Sequence, residues 1–138
     1  MNKSATKPYR TNIRDVPCVG GLKREDGWVD MKVQFLIDEA TAGSTRLLVG
    51  WTVIPPGGSH ELHRHHNADE FRIILSGSGV VYSEDGEEPC GEGDVVFRPA
   101  GCWHGFKNTS DEDVVIVWGW GGAGSLEAAG YETPPAAG

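Results

Sequence analysis

The chain has 138 residues, enough for one domain with a sizeable buried core. Apolar residues make up 38% and charged residues 23%, a balance that argues against a disordered polymer. The net charge of −8 argues against nucleic acid or an anionic membrane as partner, since both need a basic surface, and no apolar run is long enough to span a bilayer.

Residues 1–15 form a polar arm without periodicity. Nothing in it has the apolar core of a secretory leader, so the cytoplasm is the expected location. MKVQFLI, from Met31 to Ile37, predicts a strand. TRLLVGWTVI, from Thr45 to Ile54, predicts a longer one, with Leu47, Val49, Trp51 and Val53 sharing one face. Pro55-Pro56-Gly57-Gly58 ends it, and a histidine-rich stretch follows. Further strands are predicted at Glu70 to Leu75, Val80 to Ser83 and Val95 to Arg98, with a hairpin at Glu84-Asp85-Gly86-Glu87. Asn108 to Glu112 is a loop, and Val114 to Trp120 the last strong strand. The Gly-, Ala- and Pro-rich tail carries at most one helical turn, near Leu126 to Ala129. Short strands with turn signals every eight to twelve residues or so indicate an all-β sandwich or small barrel. The expected organisation is an N-terminal arm over 1–30, a barrel over 31–122 and a flexible tail over 123–138.

Cys18, Cys90 and Cys102 form neither a disulfide framework nor a CxxC zinc pair. Histidines are the informative side chains. His60, His63, His65 and His66 lie within one stretch, and His104 stands some forty residues on. His63 and His65, two apart, point to the same side of an extended segment. Glu70 begins the next strand, and His104 comes from a distant one folded beside them. Imidazoles with a carboxylate and open positions suit a divalent transition metal. His60, on a preceding loop, and His66, pointing away, are expected to be solvated bystanders; a bulge would let His66 replace His65.

These residues fall in two spaced patterns. Gly57 is followed after five residues by His63-Arg64-His65, after four more by Glu70 and after six more by Gly77. Gly93 is followed after five residues by Pro99-Ala100-Gly101, after two more by His104 and after three more by Asn108. The pair of patterns resembles the two motifs of the cupin family without departure. The resemblance implies a double-stranded β-helix, or jelly-roll, barrel with His63, His65, Glu70 and His104 as ligands of one divalent transition metal ion. Fe(II) is favoured, with Mn, Ni, Zn or Cu also accommodated. It also implies a homodimer, and the strand near Val33 to Ile37 is a candidate for pairing with a neighbour.

If Glu70 faces the interior, so do Arg72 and Ile74. Arg72 is then expected either to hold a substrate carboxylate or enolate, or to pair with Glu61, Asp69 or another carboxylate. Trp51, Trp118 and Trp120, and with them Trp103, are candidate walls of a pocket for a small-molecule substrate. Tyr82 is a candidate acid or hydrogen-bond donor. The expected activity is that of a mononuclear metal enzyme, foremost an Fe(II) dioxygenase acting on a small enol, phenol or keto compound. The alternatives are a non-redox cyclase, lyase or isomerase, and a metal-containing binding module without turnover.

Overall fold

The computed structural model describes residues 7–135; residues 1–6 of the expected arm and 136–138 of the expected tail lie outside the described residues. Its strands are β1 (Trp28–Val29), β2 (Lys32–Ile37), β3 (Leu47–Ile54), β4 (Ser59–His63), β5 (Asp69–Ser76), β6 (Ser78–Ser83), β7 (Gly86–Gly91), β8 (Val95–Arg98), β9 (His104–Lys107) and β10 (Val114–Gly121). Two one-turn helices, α1 (Glu39–Ala42) and α2 (Leu126–Ala129), complete the elements used below. The strands form two five-stranded antiparallel sheets, ordered β1-β4-β9-β6-β7 and β2-β3-β10-β5-β8. The fold is an all-β sandwich of two five-stranded sheets. Among the described residues no helix is long and apolar enough to cross a membrane.

Strand alternation decides what enters the core. On β5 it buries Glu70, Arg72 and Ile74; on β10 it buries Val114, Ile116, Trp118 and Trp120. On β3 the inward set is Leu48, Gly50, Thr52 and Ile54. Leu47, Val49, Trp51 and Val53 do share a face, but it is the outer one. The more apolar set is outside because Gly50 and Thr52 serve Trp118. The indole ring lies where a side chain at Gly50 would stand, and its Nε1–H donates to Thr52 Oγ1 at 2.7 Å. Sheet register then places Trp120 beside Glu70 and Trp118 beside Arg72.

Segments on both sides of residues 31–122 pack against the barrel. Trp28, assigned to the arm, is buried in β1 and paired with His60 of β4. The segment 123–132 is bound to the barrel. Ala123 and Ala129 are buried, Asn67 N–H donates to Ala129 O, and Arg64 and Glu132 exchange backbone hydrogen bonds. β2 pairs with β3 of its own chain, and Val19 N–H meets Val33 O.

A Cβ at Gly50 would sit 2.2 Å from two ring carbons of Trp118. Gly50→Ala is therefore expected to cost about 1–3 kcal/mol, the usual penalty of overpacking. Urea denaturation checks this, and an unchanged midpoint would contradict the packing described.

Candidate metal centre

Each of three histidines donates its Nδ1–H to a backbone carbonyl. His63 bonds Glu61 O at 2.7 Å, His65 bonds Gly130 O at 2.7 Å and His104 bonds Cys102 O at 3.0 Å. A carbonyl accepts only, so in its neutral form each ring carries its proton on Nδ1 and offers a lone pair on Nε2. The three Nε2 atoms are buried, lie within 4.8 Å of one another and have no hydrogen-bond partner among the described residues. Three lone pairs converging without a donor are costly unless they bind a cation. An imidazole set oriented by carbonyls is the usual dress of a divalent transition metal, so the residues fit such an ion.

Glu70 stands at the edge of this cluster. Its Oε2 lies 2.8 Å from His104 Nε2, and its Oε1 lies 3.7 Å from His65 Nε2. Oε1 accepts from Trp120 Nε1–H at 3.0 Å, and Oε2 from Arg72 Nε–H at 3.2 Å. Arg72 therefore pairs with Glu70, and not with Glu61 or Asp69. Burial alone would raise the Glu70 pKa. Arg72 first, then His104 and His65, outweigh it and hold the carboxyl well below its ordinary range.

His60 corrects the expectation of a solvated bystander. Register passes from His60↔Phe106 to His63↔His104, so β4 carries one extra residue. That bulge reverses the parity of the strand and turns both histidines inward. The His60 ring is buried, with its centroid 3.6 Å from that of His63 and 4.0 Å from that of Trp28. Tyr131 donates its hydroxyl to Asp26 O at 2.6 Å, so its oxygen accepts from His60 Nε2–H at 3.1 Å. His66 is half-exposed and sits 2.8 Å from Glu132, a carboxylate that Arg64 also holds.

A cavity of ≈ 20 Å³ adjoins the cluster, about the room of one water-sized group. Its polar lining is His60, His65, Glu70, Arg72 and Thr52; Trp28, Trp118, Trp120, Met31, Ile54 and Ile116 supply the apolar walls. Trp118 and Trp120 are thus part of its wall. Trp51 lies on the opposite face of β3, and Trp103 lies under the Arg64 guanidinium, 4.4 Å from ring centre to Cζ. Tyr82 is also elsewhere. It points away from the buried side of β6, and its hydroxyl is held by His60 O at 3.1 Å and Glu61 at 3.3 Å. Burial and the Glu61 charge raise its pKa further from any working range. Trp28 and Tyr131 were missed because both lie outside the stretch that carries the motifs.

The family model for the cupin domain matches residues 50–120, about half the chain. The chain belongs to the cupin family. It is 30% identical over 86 residues to protein SchB of Streptomyces halstedii, covering 62% of each chain. It is 32% identical over 78 residues to a gentisate 1,2-dioxygenase of Ralstonia sp, covering 56% of this chain and 22% of that protein. Its fold resembles that of the polyketide cyclase RemF from Streptomyces resistomycificus with a TM-score of 0.71 at 25% identity, over 83% of this chain and 80% of that one. The chain thus spans less than two thirds of SchB and under a quarter of the dioxygenase.

Two outcomes follow from the buried rings. Burial foremost lowers the pKa values of His60, His63 and His65, with like-charged neighbours adding to it. Unfolding therefore takes up protons below the free imidazole value of about 6.5. Stability of the metal-free protein should be full above that pH and fall as the pH drops below it; a flat Tm between pH 8 and pH 5 would refute this. Tyr131→Phe leaves His60 Nε2–H and Asp26 O without their shared partner. It should lower stability by about 1–3 kcal/mol in urea denaturation, and a loss under a few tenths would show the hydroxyl idle.

Proposed function

We propose that this protein is a metal-dependent cupin enzyme that acts on a small organic substrate through an enol, phenol or keto oxygen, and that its reaction is non-redox: cyclisation, elimination or isomerisation. The observation that carries the reading is the all-imidazole donor set. His63, His65 and His104 offer three free Nε2 atoms, while Glu70 shares its charge with Arg72 and Trp120 and is a weakened fourth donor. Three histidines with open positions are the ligand set of Lewis-acid zinc sites, whereas two histidines and a carboxylate suit Fe(II) oxygenases. The likeness to a polyketide cyclase, over most of both chains, supports the same reading.

A divalent ion held there would lower the pKa of the bound substrate oxygen and offset the charge that develops on it. The chain's own contribution is orientation and exclusion. Carbonyls of Glu61, Cys102 and Gly130 keep the three imidazoles from rotating. Trp28, Ile116, Trp118 and Trp120 keep water from the reacting atoms and strengthen electrostatic contacts inside.

A second reading, an Fe(II) dioxygenase, is favoured by one specific observation, the 32% identity to a gentisate 1,2-dioxygenase over 78 residues. Metal analysis of protein purified without added metal, combined with oxygen uptake on β-diketone and catechol panels, separates the two. The expected result is about one redox-inert divalent ion per chain and no oxygen consumption. Iron with substrate-dependent oxygen uptake would replace the first reading by the second, and absence of any bound metal would sink both. His104→Ala should weaken metal binding by more than about 100-fold, beyond what loss of an orienting partner costs.

A further inference from the structure

The histidine centre is shut in. His63 Nε2, His65 Nε2 and His104 Nε2 are all buried, and the cavity beside them is ≈ 20 Å³. A site that takes a small organic molecule needs about 300 Å³ or more. The arrangement is therefore a closed one, and part of the wall has to move before anything larger than a water reaches the donors. Ile116, Trp118 and Trp120 are the fixed part of that wall. They belong to β10, which is paired along its length with β3 on one side and β5 on the other.

The loosest part of the wall is β1. It has two residues, Trp28 and Val29, lies at the edge of its sheet and pairs only with β4. A left-handed residue stands at each end, Gly27 with φ +97° and Asp30 with φ +60°. A non-glycine side chain in that conformation costs free energy, which movement of β1 would release. Trp28 lines the cavity, and so does Met31, just past Asp30.

What holds β1 down comes from the far end of the chain. Tyr131 stacks on Trp28, and its hydroxyl donates to Asp26 O at 2.6 Å. Tyr131 sits on a short segment, 130–132, that leaves α2 through Gly130 with φ +83°. A backbone bridge and an ion pair between Glu132 and Arg64 fasten this segment to the barrel. Two narrow pieces of chain, each beside a left-handed residue, thus close over the rings of His60 and His63 and are joined through Tyr131.

We propose that residues 26–31 and 130–132 are the two leaves of a gate over the histidine centre, with the Tyr131 hydroxyl as its latch. The leaves open together to admit the metal ion and the substrate, and close to shut bulk water away from the donors. Passage of metal and substrate rests on the metal-enzyme reading; the coupled opening does not.

Native-state hydrogen exchange of the full metal-free chain at pH 7.5 or so tests the opening. Glu61 N–H, bonded to Gly27 O, reports the first leaf, and the mutual amide bonds of Arg64 and Glu132 report the second. In wild type these amides should exchange together, at least about tenfold faster than those of the β3–β10 ladder. Tyr131→Phe should speed both leaves at least about fivefold, the effect of one lost hydrogen bond. Gly50→Ala, which loosens the core and keeps the latch, should speed the ladder and leave both leaves unchanged. Leaves that exchange no faster than the ladder, a Tyr131→Phe effect on one leaf alone, or leaves sped by Gly50→Ala as much as the ladder would each overturn the proposal. Stopped-flow uptake of zinc by the metal-free chain reads access. Its rate should level off with zinc concentration, at the opening rate, and that plateau should rise in Tyr131→Phe. A rate that climbs in proportion to zinc and is equal in wild type and variant would overturn the gate. Failure of the wild type to take up zinc would instead strike the metal-enzyme reading, and exchange would still decide whether the leaves open as one.

Discussion

Three protons given to the backbone make this site what it is. His63, His65 and His104 each surrender Nδ1–H to a carbonyl, and only then do three Nε2 lone pairs face one another. Two of the carbonyls are local. Glu61 O and Cys102 O lie two residues before the histidines they orient, in the bulge of β4 and in the turn entering β9. The third is remote. Gly130 O reaches His65 from 65 residues away, and its φ of +83° turns the chain out of α2 at that point. A residue with a Cβ resists that conformation, so glycine there serves the geometry of a donor atom in another part of the fold.

The pair Glu70 and Arg72 is the second constraint. Two charges two residues apart on β5 both face the interior because a strand alternates strictly. Burying such a pair stabilises little, since desolvation consumes most of the Coulombic gain. Its effect is to set the field of the cavity: Glu70 stays ionised against the penalty of burial, and His104 and His65 keep an anion beside them. Trp120 fixes the carboxylate from the other side, so the indole is part of the polar network as much as of the wall.

Most of the strands could be read from the sequence. β3, β5, β8 and β10 combine apolar alternation with clear turn residues, and their predicted ends fall within two residues of the observed ones. The histidines that meet at the centre could be read from spacing and resemblance together. What escaped has physical causes. Alternation says which residues of β3 share a face but not which face is inside, and hydrophobicity pointed the wrong way because Gly50 makes room for Trp118. His60 was misread because a bulge changes parity invisibly. β7, GEEPCG, has the composition of a turn and is a strand only because β6 pairs with it. The tail looked loose because glycine and alanine give no periodic signal, yet small residues are what lets it lie against the barrel, with Ala129 fully buried.

That last point divides the molecule by task. The family match over residues 50–120 contains the three histidines and Glu70, together with Arg72, Trp118 and Trp120. The groups that finish the site lie outside it: Trp28 and Met31 before, Gly130 and Tyr131 after. Trp28 and Tyr131 stack with ring centroids 5.2 Å apart, and both rest on the His60 and His63 rings. The sheet core can therefore supply a donor set of fixed geometry while the flanking segments set the shape and size of the space in front of it. The flanks also reach the donor set itself: Trp28 and Tyr131 stack on the His63 ring, and Gly130 O orients His65.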